Sequence, residues 1–83
     1  MEYDLEKLAP KLKDPAYAKA LYAALCNNIF EKQWSCSWRY AGGVVARLRN
    51  EGEDYLDYYC NAPEGEVTEE IREDLRLLGW KVL

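Results

Sequence analysis

Four apolar residues spaced four apart, Tyr17, Leu21, Leu25 and Ile29, follow directly on the dipeptide Asp14-Pro15. Four-residue spacing keeps side chains on one stripe of a helix. Pro15 suits the first helical position, where its missing N–H breaks no bond, and Asp14 before it can cap the free backbone donors. Tyr22, Cys26 and Phe30 run along a neighbouring stripe. The two stripes together predict a helix over 15–33 that is buried on more than one side. Asn27 and Asn28 are poor helix formers within it and are expected to face solvent. Upstream, Leu5 and Leu8 predict a short helical turn that Pro10 interrupts, and residues 1–13 are expected to pack loosely. The chain has 83 residues and is expected to form one domain, 1–83.

The segment W-S-C-S-W-R-Y-A-G-G-V-V-A-R-L-R, from Trp34 to Arg49, supports two local structures. Alternation of Trp34, Cys36, Trp38 and Tyr40 suits a strand. Recurrence of Trp38, Ala41, Val45 and Leu48 at three and four residues suits a helix. The strand pattern fails at Gly42-Gly43, whereas the helical one continues to Asn50, so the spacing predicts a helix over 37–50, with a hairpin turning at the two glycines as its rival. Ser37 or Ser35 is the expected N-cap, and Gly52 the expected residue that ends the helix in left-handed geometry.

Beyond Gly52, E-D-Y-L-D-Y-Y-C alternates aromatic and other residues with period two and predicts a strand over 55–60. A turn over 61–65 follows. Thr68 then precedes Glu69 and Glu70, an N-cap followed by negative charge at the positive end of a helix dipole. Val67, Ile71, Leu75 and Leu78 mark the buried stripe of a helix over 68–78, Gly79 its left-handed terminator, and Trp80 a ring that folds back onto the last turn. W-K-V-L, residues 80–83, predicts a short terminal strand whose best partner is 55–60. The predicted fold class is therefore α+β: a small single domain in the order helix, helix, strand, helix, strand, with a two-stranded sheet packed on the helices. Its core is expected to include Leu25, Trp38, Leu48 and Leu75.

Catalytic chemistry finds little support in this pattern. The chain has no histidine, and Cys26, Cys36 and Cys60 are widely spaced without a C-x-x-C pair. Zinc sites want four such ligands and a cysteine nucleophile wants a nearby base, so neither zinc nor a catalytic Cys36 is expected. Buried free thiols are the expected state. Glu53 and Asp57, among the acidic residues around Gly52, would stand about 13 Å apart on a strand, too far for a glycosidase pair. Ala41 to Val44 lacks the lysine and spacing of a phosphate-binding loop. No catalytic residue, no metal and no cofactor is predicted. The start of the chain, Met-Glu-Tyr-Asp-Leu-Glu, has neither the basic nor the apolar part of a signal peptide, and no apolar run approaches the roughly 20 residues of a membrane span. A cytoplasmic protein is expected.

Charge points toward partners. Residues 1–50 carry eight Lys or Arg against five Asp or Glu, a net +3, while residues 51–83 carry three against ten, a net -7. Two binding modes follow, with opposite signs. Tyr55, Asp57 and Tyr59 on one strand face, with Glu69, Glu70 and Glu73 on the following helix, would bind a protein with a basic surface; tyrosines anchor such interfaces well. Alternatively Arg39, Arg47 and Arg49 on the helix near 37–50 would bind nucleic acid in a winged-helix-like manner, although the order of elements lacks the third helix that fold places before its hairpin. The protein-binding mode is the expected one, and a homodimer is a further way to cover the tyrosines.

Three segments, Trp34–Arg49, G-E-D-Y-L-D-Y-Y-C and I-R-E-D-L-R-L-L-G-W, span about half the chain and resemble small accessory proteins encoded by phages and prophage-bearing bacteria. The resemblance implies no enzymatic activity and assigns no residue a role. Accessory proteins of that kind often bind and redirect a host protein, so it implies a non-enzymatic interaction module.

Overall fold

The computed structural model of the chain describes residues 5–27, 29–30, 38–50 and 67–83. Among these residues there are two 3₁₀ turns, Leu5–Leu8 and Lys11–Lys13, and three α-helices: α1 (Pro15–Asn27), α2 (Trp38–Arg49) and α3 (Glu69–Leu77). No helix among them is long and apolar enough to cross a membrane.

Helix α1 starts where the sequence places it. Asp14 Oδ1 accepts from the Ala16 N–H at 3.0 Å, and the Asp14 carbonyl accepts from the Ala18 N–H at 3.0 Å. Its two apolar stripes are buried by different neighbours. Helix α1 packs against α2, against α3 and against the second 3₁₀ turn, which also touches α2. Leu12, Leu21, Leu25, Val45, Ile71 and Leu75 are the largest fully buried side chains, and every described segment supplies one of them or joins the same core, the first 3₁₀ turn through Leu5 and Leu8 and residues 29–30 through Ile29 and Phe30. The segment expected to be loosely packed thus places three leucines in the core, Leu5, Leu8 and Leu12.

The helix ends at Asn27, short of the predicted Gln33. Ile29 and Phe30 are extended instead. Phe30 forms an isolated antiparallel bridge with Val82, and the Leu83 N–H donates to the Ile29 carbonyl at 2.8 Å. The Phe30 and Trp80 ring centroids lie 4.5 Å apart with the planes tilted by 39°, within the range where aromatic pairs attract beyond simple burial. Asn27 offers little helical stability, so this long-range pairing prevails over one more turn.

That pairing corrects the predicted fold class. The α+β arrangement requires 80–83 to pair with 55–60; Val82 pairs with Phe30, and the bridge does not extend into a sheet. The described architecture is helical, and no sheet occurs among the described residues. The predicted strand 55–60 itself lies outside them.

Helix α2 agrees with the spacing of its apolar residues and excludes the hairpin at Gly42-Gly43. It buries Ala41, Gly42, Val44, Val45 and Ala46; Trp38 and Leu48, expected in the core, are half-buried. It stops before Gly52. Asn50 takes φ 60°, and its N–H donates to the Arg47 carbonyl at 3.1 Å. Asparagine tolerates the left-handed region better than other non-glycine residues, so it ends the helix in the role expected of glycine.

Helix α3 follows its sequence signals at both ends. Thr68 is the N-cap, its Oγ1 accepting from the Ile71 N–H at 3.3 Å. Ile71 and Leu75 are fully buried, with Val67 and Leu78 packed at the edge of the core. Gly79 has φ 101°. The Gly79 N–H donates to the Arg76 carbonyl at 2.9 Å and the Trp80 N–H to the Leu75 carbonyl at 3.0 Å, the paired bonds of a Schellman ending. This turn directs Trp80 inward, where it is buried against Phe30.

Candidate functional site

The inward edge of α3 carries a carboxylate bonded to two other elements. Asp74 is half-buried beside Leu75. Its Oδ2 accepts from the Tyr17 hydroxyl of α1 at 2.6 Å and from Lys11 Nζ of the second 3₁₀ turn at 2.8 Å. Lys11 also lies 3.6 Å from Glu70 and 5.6 Å from the centre of the Tyr17 ring. One carboxylate thereby ties three elements together. Burial disfavours the Asp74 charge, but the hydrogen bonds from Lys11 and Tyr17, with the lysine charge, outweigh it and hold the carboxyl below its ordinary value. Burial pushes the Tyr17 hydroxyl well above its usual range, and the Asp74 charge adds to it. The bond to Asp74 raises Lys11. Elsewhere on α1, burial together with neighbouring Cys26 pushes Tyr22 up to about 12. The Asp74 cluster is a structural clasp between the second 3₁₀ turn, α1 and α3.

The outward face of α3 differs. Glu69, Glu70, Glu73, Arg76 and Leu77 are exposed there. Arg76 pairs with Glu69 at 3.4 Å and with Glu73. Lys11 serves both Glu70 and Asp74. Each of these two cations therefore answers two carboxylates, and the cluster keeps an excess of negative charge. At its rim Leu77 is 82% exposed. It stands four residues from Glu73 and seven from Glu70, on the same helical stripe. The predicted acidic residues Glu69, Glu70 and Glu73 are thus gathered on one face. Leu77 is the one leucine of L-R-L-L that lies off the predicted stripe of Val67, Ile71, Leu75 and Leu78, and its exposure follows from that phase.

The three predicted nucleic-acid contacts are not gathered in this way. At about 100° per residue, Arg39 and Arg47 lie within about 80° of each other on the outward side of α2, whereas Arg49 is about 160° from Arg47. Arg39 stacks on the Trp38 ring at 5.2 Å, and Arg49 is half-buried. No single face of α2 presents all three. Tyr55, Asp57, Tyr59, Cys36 and Cys60 lie outside the described residues. Cys26 is half-buried on α1 and forms no disulfide. Among the described residues no three His, Cys, Asp or Glu side chains gather in a way that could hold a metal ion.

No protein-family model matches this chain, nor does any curated protein or any solved structure.

Proposed function

We propose that the chain is a non-enzymatic protein-interaction module of the cytoplasm, and that the outward face of α3 binds a partner with a basic surface. The observation that carries this reading is Leu77, 82% exposed, beside the exposed carboxylates Glu69, Glu70 and Glu73, of which Glu69 and Glu73 share Arg76 and Glu70 shares Lys11 with Asp74. An apolar knob contributes affinity, and the charge around it selects the sign of the partner. Tyr55, Asp57 and Tyr59 belong to the same acidic part of the sequence and would extend the surface. A module of this kind suits a phage or prophage accessory protein that redirects a host protein.

Capture of partners by the tagged chain from a bacterial lysate, with and without nuclease, tests the reading. Reversing Glu69, Glu70 and Glu73 to lysine together, or changing Leu77 to aspartate, should abolish capture of a basic protein. The fold should survive, because exposed ion pairs contribute at most about 1 kcal/mol each. Capture that depends on nucleic acid, and that disappears when Arg47 and Arg49 become alanine, would establish the nucleic-acid alternative instead.

A further inference from the structure

We propose that residues 5–13 form a strap that leaves α1, α2 and α3 as one unit, with the ion pair from Lys11 to α3 as its latch. The strap is built apart from the helices it lies on. Among the described residues its backbone bonds stay local: the Ala9 N–H donates to the Glu6 carbonyl at 3.0 Å, the Leu12 N–H to the Ala9 carbonyl at 3.1 Å and the Asp14 N–H to the Lys11 carbonyl at 3.1 Å. The joint falls at Asp14, which is extended, with φ -79° and ψ 117°. Asp14 caps α1 through its own side chain and carbonyl, so the helix keeps its cap when the strap departs. Among these residues, undocking breaks no backbone bond to a helix.

Side-chain contacts hold the strap in place. Its two 3₁₀ turns are short, and such turns have poor hydrogen-bond geometry and little stability of their own. Leu5, Leu8 and Leu12 are buried in the core. Their burial is opposed by the entropy of ordering the whole segment, a term of the same order and opposite sign. The polar contact therefore tips the balance. Lys11 supplies it: Nζ lies 2.8 Å from Asp74 and 3.6 Å from Glu70, and 5.6 Å from the centre of the Tyr17 ring. The Asp74 side chain is only 14% exposed, so salt screens its pair with Lys11 less than a pair on the open surface. Opening withdraws the cation from both carboxylates of α3 and uncovers the parts of α1 and α2 on which the second turn packs.

Native-state hydrogen exchange of the full chain at low denaturant, read amide by amide, tests the proposal. The amides of Ala9, Leu12 and Asp14 should share one opening equilibrium. They should exchange about tenfold or more faster than those of Leu21, Leu25 and Leu75, with a weaker dependence on denaturant. Lys11→Met removes the latch and should speed the three strap amides about fivefold or more relative to the helix amides. Lys13→Met removes an equal charge from an exposed position of the same strap and should leave that ratio unchanged. Strap amides that exchange only with global unfolding, at the rate and denaturant slope of the helices, would overturn the proposal. So would strap amides that open independently of one another, or a Lys11→Met effect equal on strap and helices or matched by Lys13→Met.

Discussion

Gly43 carries a cost that the described fold does not repay. Glycine in a helix interior is less favourable than alanine by roughly 0.5–1 kcal/mol, because the unfolded chain has more freedom to lose. Gly42, beside it, is buried, so its small size has a packing use; Gly43 faces open space. Gly43→Ala is therefore expected to stabilise the protein by about 0.5–1 kcal/mol, measured as a higher denaturant midpoint with unchanged slope. A loss of stability would mean that a side chain at this position meets a neighbour.

Helix ends explain which elements the sequence disclosed. Both termini of α3 and the start of α1 are written in local chemistry, with Thr68, Gly79, Asp14 and Pro15 each satisfying or sparing a specific backbone group, and they form as that chemistry dictates. The end of α2 was legible in kind but displaced: Asn50, and not Gly52, adopts the left-handed turn. A β-branched residue meets its steric cost in full there. Asn50→Val is expected to lower stability by about 1–2 kcal/mol, while Asn50→Gly holds or raises it, both read from chemical denaturation. Equal stability of the two variants would remove Asn50 as the terminator. The end of α1 was not legible. Phe30 lies four residues beyond Cys26 and fits the helical stripe, and only the ring of Trp80 and the backbone of Val82, some fifty residues away, draw it into a bridge. The sheet was misassigned for the same reason. Alternation identifies a segment able to extend, but pairing is decided by tertiary contacts that no local window contains. Of the candidate site, the acidic residues were legible from charge alone. Their common face and the position of Leu77 follow from the phase of the predicted stripe Val67, Ile71, Leu75 and Leu78, whereas the partners of Asp74, Lys11 and Tyr17, lie some sixty residues away and no local window contains them.

For the whole molecule, the Asp74 clasp links the N-terminal 3₁₀ turn, α1 and α3, so its titration bears on global stability. Asp74 is held below its ordinary value of about 3.9 in the folded state. A depressed carboxylate contributes stability that is complete above the unfolded value and is lost as pH falls through the folded one. Tyr17 and Lys11 act in the opposite direction. Their folded values lie above the ordinary ones of about 10 and 10.4. Their contribution is complete below those values and disappears as pH rises past them. The stability profile should therefore be flat from about pH 5 to about pH 9 and fall on both sides. Asp74→Asn removes the charge while keeping an acceptor for the Tyr17 hydroxyl. This variant should be less stable than the parent near neutral pH, and the gap should narrow as the parent is acidified below about pH 4, where its own Asp74 gains a proton. Tyr17→Phe should make the alkaline limb shallower, with Lys11 left to drive what remains, and should also shrink the acid limb, because the Tyr17 hydroxyl is one of the donors that hold Asp74 low. Denaturant midpoints measured across pH for the parent and both variants decide the matter. A gap between parent and Asp74→Asn that stays constant down to acid pH would show that the Asp74 charge is not what holds the clasp.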